Sequence, residues 1–335
     1  MEGTKDENTK LSTEYDTPLG LAHTTMAALK DRIKQHYDLA SDYYLNLWGE
    51  HIHHGYYPTE ESKATDTKEK AQIALIKLLL EISKLPTTPS QQQLRVLDVG
   101  CGIGGTSRYL ASELGAQVTG ITISSKQVEI ARRLTKTAAG KQNPAESVTT
   151  STPKDVDMDD FVQLGAGQVK FIELDAEKMG DFFASEESKF DVVWISEALS
   201  HFPNKKLFFQ NAQKVLKEGG KLVLADWFKS EDVKEGDADI KAIEDGMLLP
   251  PLCAQPDYVK MATDAGLSVF AEPKDISADV SKTWDITWSL IQNPSLWAFA
   301  FSQGRDGIAF LQSFRAMRRG YANGTFRYAV MSFQK

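Results

Sequence analysis

Short apolar runs alternate with stretches of helical hydrophobic spacing through most of the chain. The first run is Leu94–Val99, and a helical pattern follows it. Further apolar runs fall at residues 116–122, 169–174, 190–195, 218–227, 267–276 and 326–333. Because most of these runs are short and separated by helical patterns, the alternation predicts an α/β fold with a largely parallel sheet.

Three other stretches depart from this pattern. Residues 1–19 are polar, and we expect a flexible tail there. Residues 20–62 combine helical spacing with many aromatic side chains, which predicts either a helical pair on the core or a helical lid over a ligand. Residues 63–335 are assigned to the core. Within it, residues 135–167 are rich in Ser, Thr, Pro and charged residues, and we expect them to form a flexible insertion.

The run Leu94–Val99 leads into a glycine-rich loop, which predicts a ligand site. The glycines of the loop are Gly100, Gly102, Gly104 and Gly105. Their spacing alone is compatible with a dinucleotide. However, a carboxylate at Asp98 would repel a pyrophosphate, and the second strand reaches Thr122 without the acidic residue that holds a ribose. A sulfonium cofactor with an amino-acid tail agrees better with both residues, so a nicotinamide oxidoreductase is disfavoured.

Five sequence segments resemble one enzyme family. Residues 98–105, D-V-G-C-G-I-G-G, resemble the first motif of the S-adenosylmethionine-dependent methyltransferases with a Rossmann-like core. Residues 37–57, 120–127 and 315–335 are similar to segments of the γ-tocopherol methyltransferase group, and the first of these also to plant alkaloid N-methyltransferases. Residues 197–203, E-A-L-S-H-F-P, match a pattern of sterol C24-methyltransferases.

This resemblance implies a fold and a domain plan. The fold is a Rossmann-like methyltransferase sheet, mostly parallel with an antiparallel last strand, under an N-terminal helical lid. Insertions at residues 229–255 and 278–320 are expected to form a cap over the acceptor. The aromatic side chains of the second insertion, which begin at Trp284, are expected either to pack in the core or to line an apolar substrate pocket.

The resemblance and the positions at strand ends together assign a site. The residues expected at S-adenosyl-L-methionine are Asp98, Gly100, Gly102, Gly104, Thr122, Gln127, Asp175, Ala176 and Ser196, with Tyr37, Tyr44 and Trp48 closing the site. Glu197 and His201 are four residues apart, so on a helical turn they would share a face. His201 is the first candidate for a base, and Glu197 is a second base, an orienting group for His201 or a stabiliser of a carbocation.

Composition and charge limit the partners. The formal net charge is −8 and no basic stripe is visible, which disfavours nucleic acid as a substrate. There are only two cysteines, one of them in the glycine loop, and no apolar run is long enough to cross a membrane, so we expect a cytoplasmic enzyme. His51, His53 and His54 lie close together without a cysteine or carboxylate cluster, and we expect hydrogen-bonded lid histidines rather than a metal site.

The sequence therefore predicts methyl transfer from S-adenosylmethionine to a hydrophobic small molecule by in-line displacement. The relatives suggest a natural-product, alkaloid, prenylated or sterol-like acceptor. Two other interpretations stay open. One is an enzyme that binds the same cofactor but catalyses a rearrangement or cyclisation without methyl transfer, and the other is a non-catalytic partner protein. The methylated atom (nitrogen, oxygen or carbon) and the oligomeric state also stay open.

Overall fold

One eight-stranded sheet organises the protein, for which a computed structural model describes residues 25–142, 160–290 and 304–335, with residues 297, 300 and 301. The strands are β1 Arg95–Val99, β2 Gln117–Thr122, β3 Val162–Leu164, β4 Gly167–Glu173, β5 Phe190–Ser196, β6 Leu216–Lys229, β7 Ser268–Asp275 and β8 Phe326–Gln334. Their order is β3-β4-β2-β1-β5-β6-β8-β7. Neighbours from β4 to β6 pair in parallel, whereas β8 is antiparallel to both β6 and β7. The predicted α/β class with an antiparallel last strand is confirmed.

Helices cover both faces of this sheet. They are α1 Met26–Trp48, α2 Glu60–Thr65, α3 Lys68–Ile82, α4 Gly105–Leu114, α5 Ser125–Gln142, α6 Met179–Phe182, α7 Lys205–Val215, α8 Ala238–Gly246, α9 Gln255–Asp264, α10 Ser277–Val280, α11 Lys282–Leu290 and α12 Arg305–Asn323. The side chains of β1 alternate between two hydrophobic cores. Val96 lies in the core that contains Leu79 of α3, and Leu97 lies in the core that contains Phe208 of α7. None of the described helices combines the length and apolarity that a membrane crossing requires.

The ends of the expected flexible insertion are regular structure, which corrects the sequence prediction. Residues 135–142 are the last two turns of α5, and Val162–Leu164 form strand β3, antiparallel to β4. The composition of this stretch did not distinguish a loop from regular structure, because polar residues are also common at an exposed helix end and in an edge strand. Residues 143–159, like the predicted tail at residues 1–19, lie outside the described part of the chain.

The N-terminal segment also differs from the expected helical pair. It has one long helix, α1, which ends where Gly49 takes a φ of +79°, and an extended stretch then leads to α2. Helix α1 lies across the carboxyl ends of the strands, where the following elements begin. Its polar contacts there are Lys30 with Asp175, Lys34 Nζ with Glu173 at 2.6 Å, and Asp38 with Ser124 Oγ at 2.5 Å. Open α/β sheets bind their ligands at this edge.

Candidate active site

The glycine loop after β1 exposes its backbone to a cavity. Gly100 and Gly102 have φ values of +69° and +54°, a region that glycine adopts without strain. A Cβ on Gly102 would meet nothing within 4 Å, so this residue faces open space. Gly104 behaves differently: it precedes α4 with a φ of +81°, and a Cβ there would lie 2.4 Å from the Phe171 ring. Gly104 therefore has a packing role and does not line the cavities described below.

A first cavity of about 860 Å³ opens between this loop, the strand ends and α1. Among the residues expected at the cofactor, the structure brings together Gly100, Gly102, Thr122, Gln127, Asp175, Ala176, Ser196 and Tyr37 around it. Trp48 lies at a second cavity instead, and the side chain of Tyr44 lies outside the described residues.

Polar groups of the first cavity are ordered by their neighbours. Thr122 Oγ1 donates to Gln127 Oε1 at 2.6 Å, which directs the oxygen of that amide away from a ligand and leaves its nitrogen as a possible donor. Asp175 Oδ1 accepts from the backbone N–H of Glu177 at 3.1 Å and caps a short 3₁₀ turn, Ala176–Lys178. The same carboxylate pairs with Lys30 of α1, so one side chain caps a turn, lines the cavity and holds the helix above it.

Asp98 is buried at the floor of a small adjoining cavity, beside the segment Glu50–His53 and the glycine loop. Ser107 Oγ donates to Asp98 Oδ2 at 2.5 Å. Burial nevertheless raises the pKa of the Asp98 carboxyl to about 6. A cationic group bound here would favour the ionised carboxylate and lower that pKa again. The site is therefore suited to an ammonium, such as the one on the amino-acid tail of S-adenosylmethionine.

Glu197 accepts from three donors, which come from two distant parts of the chain. Its Oε1 accepts from the His54 backbone N–H at 2.6 Å and from the Tyr328 hydroxyl at 2.8 Å, and its Oε2 lies 2.9 Å from His54 Nδ1. Burial alone raises the pKa of Glu197, but the contacts with His54 and the nearby His53 outweigh it, so this pKa lies below its ordinary value. The carboxylate is buried and ionised at neutral pH.

The expected helical turn carrying Glu197 and His201 is wrong in its local geometry. Glu197 has a φ of +54°, which is strained for a residue with a side chain, and only Leu199–His201 form a 3₁₀ turn. Even so, both side chains line the same two cavities, because the chain bends sharply as it leaves β5. The predicted juxtaposition thus arises from a strained bend rather than from helical spacing.

His201 is half-buried and carries no charge at neutral pH. Burial, together with the nearby charges of His36 and Lys205, lowers the pKa of His201 to about 3. Its Nε2 lies 3.3 Å from the Tyr37 hydroxyl of α1. Burial raises the pKa of Tyr37, so this hydroxyl keeps its proton at neutral pH. A helix of the N-terminal segment therefore fixes the orientation of the ring.

A second cavity, about 740 Å³, adjoins the first. The two share a boundary formed by Ile33, Tyr37, Ile52, Glu197 and His201. Aromatic side chains dominate the rest of the second cavity, namely Trp48, Trp227, Trp284, Phe310 and Phe314. Of the aromatic run near residue 300, Trp284 lines this cavity and Trp297 and Phe301 are exposed.

Three contributors to the site were not identified from the sequence. His54 and Tyr328 bind Glu197 directly, and the Tyr321 hydroxyl lies 3.2 Å from His54 Nε2. The dense histidines did draw attention to His54, but only as a lid residue. Tyr321 and Tyr328 lie far along the chain in α12 and β8, and no local pattern links them to Glu197. Among the described residues, no cluster of His, Cys, Asp or Glu could hold a metal ion.

The chain is similar to known methyltransferases. Residues 97–224 match a family model described as a methyltransferase domain. The chain is 28% identical to the probable chloroplastic tocopherol O-methyltransferase of Oryza sativa subsp. japonica over 92% of this chain and 78% of that protein. It is 37% identical to the 2-methyl-6-phytyl-1,4-hydroquinone methyltransferase of Synechocystis over 55% of this chain and 47% of that protein.

The fold is also similar to solved structures. The crystal structure of the mycolic acid cyclopropane synthase CmaA1 superposes with a TM-score of 0.68 at 19% identity, covering 91% of this chain and 98% of that one. At this identity the likeness concerns the fold. The family match over residues 97–224, the two relatives and the glycine loop after β1 together support an S-adenosylmethionine-dependent methyltransferase.

Proposed function

We propose that this methyltransferase acts on a hydrophobic small molecule held in the second cavity, with S-adenosylmethionine in the first. The observation that carries this proposal is the shared boundary at Tyr37, Glu197 and His201. A sulfonium methyl group at that boundary would face an acceptor across it, in the arrangement that an in-line displacement needs. The aromatic lining favours an apolar acceptor, as do the tocopherol and phytyl hydroquinone named for the two relatives.

Residue roles at the cofactor follow from the geometry. We assign Asp98 to the ammonium of the amino-acid tail, and the backbone of Gly100 and Gly102 to close contact with the ligand. Gln127 and Asp175 offer polar groups at the opposite side of the first cavity. The bound cofactor supplies an activated methyl group. The protein therefore has to align the acceptor with it and exclude water, rather than activate the donor.

His201 and the surrounding elements would act on the acceptor. With a pKa of about 3, His201 is a weak base, and a base is most effective when its pKa is near the working pH. We propose that it orients the acceptor and takes a proton only from a group that methylation has already made strongly acidic. The regions 229–255 and 278–320 contribute Met247, Leu248, Trp284 and Phe310 to the second cavity, which supports their assignment as an acceptor cap.

The experiment that tests this function combines cofactor binding with product detection. Purified protein is titrated with S-adenosylmethionine by calorimetry and then incubated with a panel of apolar amines, phenols and alkenes. Formation of S-adenosylhomocysteine with a methylated product is the expected result. An acceptor that is rearranged without S-adenosylhomocysteine would indicate the cyclisation alternative, and failure to bind the cofactor would indicate a non-catalytic protein. The cytoplasmic setting stays a prediction, with a plastid as the alternative suggested by the name of the rice relative.

A further inference from the structure

We propose that the acceptor carries an oxygen atom close to the reaction boundary, and that the indole N–H of Trp227 recognises this oxygen by a hydrogen bond. Trp227 is then a specificity-determining residue of the second cavity. The inference rests on the proposed function, because it describes the acceptor of the same site. Two observations carry it: the Trp227 ring lies beside the boundary, and its N–H finds no acceptor among the described residues.

The Trp227 side chain lies close to the boundary of the two cavities. Trp227 of β6 is paired in register with Tyr328 of β8, so both side chains lie on the same face of the sheet, and the Tyr328 hydroxyl donates to Glu197. The ring centre of Trp227 is 6.0 Å from that of His54 and 5.9 Å from that of His201. A ligand atom that contacts this indole is therefore near the residues at the boundary.

The indole N–H of Trp227 has no partner within the described part of the chain, although the side chain is only 5% exposed. An indole nitrogen donates one hydrogen bond and accepts none, so it needs an acceptor atom. The oxygens of Glu197 already accept from His54 and Tyr328. Most buried polar groups in proteins are hydrogen-bonded, because an unsatisfied donor destabilises the folded state. An unpaired donor in the wall of a ligand cavity therefore indicates an acceptor atom on the ligand.

Trp284 provides a contrast in the same wall. It is as deeply buried as Trp227 and also lines the second cavity. Its N–H makes no hydrogen bond of good geometry either, but it lies close enough to the Tyr321 hydroxyl to counteract the rise in the pKa of that group caused by burial. The protein itself thus places an oxygen near the Trp284 indole, whereas no described residue supplies an acceptor to Trp227.

His53 adds a hydrogen-bond acceptor to the lining of the second cavity. Its Nδ1 lies 2.9 Å from the carbonyl oxygen of His54, which can only accept, so this nitrogen carries a proton. Burial lowers the pKa of His53, so the ring is neutral at neutral pH and Nε2 keeps a lone pair. No described residue donates to this Nε2. A hydroxyl on the acceptor molecule matches both Trp227 and His53, whereas a carbonyl oxygen matches Trp227 alone.

Nuclear magnetic resonance of the indole N–H groups tests the contact directly. The protein, with its six tryptophans isotope-labelled, is loaded with S-adenosylhomocysteine and titrated with 1-indanone or with indane, which lacks the oxygen. The Trp227 resonance is identified by its absence from the spectrum of Trp227→Phe. We expect it to move downfield with 1-indanone and not with indane, because a new hydrogen bond deshields the proton. Binding of 1-indanone without this shift, or equal shifts with both probes, would overturn the inference.

Substitutions measure what the contact contributes to binding. Trp227→Phe keeps an aromatic ring and removes the N–H, so the affinity for 1-indanone relative to that for indane should fall by at least about 5-fold. Trp284→Phe is the matched control, and its affinity ratio should stay as in the wild type. Equilibrium dialysis of the loaded proteins gives both ratios. An unchanged ratio in Trp227→Phe, or an equal fall in both variants, contradicts the assignment. If Trp227→Phe does not fold, the wild-type spectra decide, since one indole resonance must move with 1-indanone alone.

A third probe, 1-indanol, distinguishes a hydroxyl from a carbonyl as the recognised group. An affinity for 1-indanol that falls in both Trp227→Phe and His53→Phe supports a hydroxyl, and a fall in Trp227→Phe alone supports an oxygen that only accepts. No fall in Trp227→Phe counts against the inference. Binding of all three probes without any contribution from the oxygen refutes the inference and leaves the proposed function intact. A wild-type protein that binds no S-adenosylhomocysteine, or none of the three probes, refutes the proposed function itself.

Discussion

Single residues buried beneath the site control the groups that line it. Lys205 at the start of α7 is an example: its side chain is buried, and its Nζ donates to the carbonyl oxygens of Ser200 and Phe202, each at 3.1 Å. These carbonyls flank His201 on both sides. The two hydrogen bonds from this charged group restrict the backbone on both sides of His201. A buried ammonium without such acceptors would destabilise the folded state. Lys205 is therefore a positioning residue for His201.

Lys205→Met should lower kcat by about 10-fold and leave the affinity for S-adenosylmethionine unchanged, because a shift of the His201 ring misplaces the acceptor and not the cofactor. A double-mutant cycle with His201→Ala separates this role from a general loss of stability. If Lys205 acts through His201, the second substitution adds little to the first. Lys221→Met is the control, since Lys221 Nζ donates to the Ser83 carbonyl on another part of the sheet. Fully additive losses in kcat would contradict the positioning role.

Asp98 should make cofactor affinity depend on pH. Burial raises its pKa to about 6 in the ligand-free protein, and an ammonium binds best to the ionised form. Affinity for S-adenosylmethionine should therefore be highest above pH 6 and fall, by up to about 10-fold per pH unit, as the pH drops below 6. Titration calorimetry from pH 7.5 to pH 5 measures this. Asp98→Asn should bind at least about 10-fold more weakly at pH 7.5 and lose the pH dependence; a variant that keeps the same slope excludes Asp98 as its source.

The folding contribution of Asp98 has the opposite direction. A carboxyl whose pKa is raised by folding holds its proton in the native state over a range in which the unfolded chain has lost it. Its contribution to stability is therefore most favourable below the unfolded pKa of about 4 and diminishes as the pH rises through 6. Function and stability thus place opposite demands on one residue, as is common where a charge is buried for a ligand.

At the scale of elements, the N-terminal segment and the glycine loop fit together at one contact. A Cβ on Gly105, the first residue of α4, would lie 2.0 Å from the carbonyl oxygen of Glu50 and 2.9 Å from His51 Nδ1. Arg108, one turn further along α4, pairs with Glu50 at 2.8 Å. The same segment continues into His53 and His54, which reach the second cavity. Helix α4 therefore sets the position of both the cofactor loop and the acceptor wall.

Gly105→Ala should destabilise the protein by roughly 1–3 kcal/mol and weaken cofactor binding, because the segment at Glu50 must move to admit the methyl group. Gly140→Ala provides the contrast. Gly140 lies within α5 with nothing within 4 Å of an added Cβ, so alanine should be neutral or stabilise by up to about 1 kcal/mol. Urea unfolding followed by circular dichroism gives both values. A Gly105→Ala protein as stable as the wild type would show that the contact is readily relieved.

The parts of the site formed by residues close together in the sequence could be predicted, and the parts formed by residues far apart in it could not. The loop from Asp98 to Gly104 and the strand end at Thr122 were found because strand, turn and helix follow one another within a few residues. The network at Glu197 could not be found in this way, since its donors come from His54 and Tyr328, residues at opposite ends of the chain. Strand β8 brings Tyr328 there only because it inserts between β6 and β7.

At the scale of the whole molecule, helix α1 contacts both cavities and the loop after β4. Its residues Ile33 and Tyr37 line both cavities, and its lysines reach the loop after β4. The ion pair of Lys30 with Asp175 and Glu177 is about one-fifth exposed on the lysine side. Such partly exposed pairs contribute modestly, at about 1 kcal/mol or less. We therefore expect α1 to cover the site and to open for ligand exchange.

Lys30→Met should therefore increase amide hydrogen exchange in α1 of the ligand-free protein by a few-fold, since the loss of about 1 kcal/mol raises the population of the open state correspondingly. Saturating S-adenosylhomocysteine should slow exchange in both proteins, because a ligand in the first cavity contacts the same helix. Lys70→Met is the control: Lys70 pairs with Asp66 at 2.6 Å but is strongly exposed and far from α1 in the sequence. Mass spectrometry of peptic peptides covering residues 26–48 provides the measurement. Equal exchange in α1 for all three proteins would show that apolar packing at Ile33 and Leu29, rather than the ion pair, keeps the site covered.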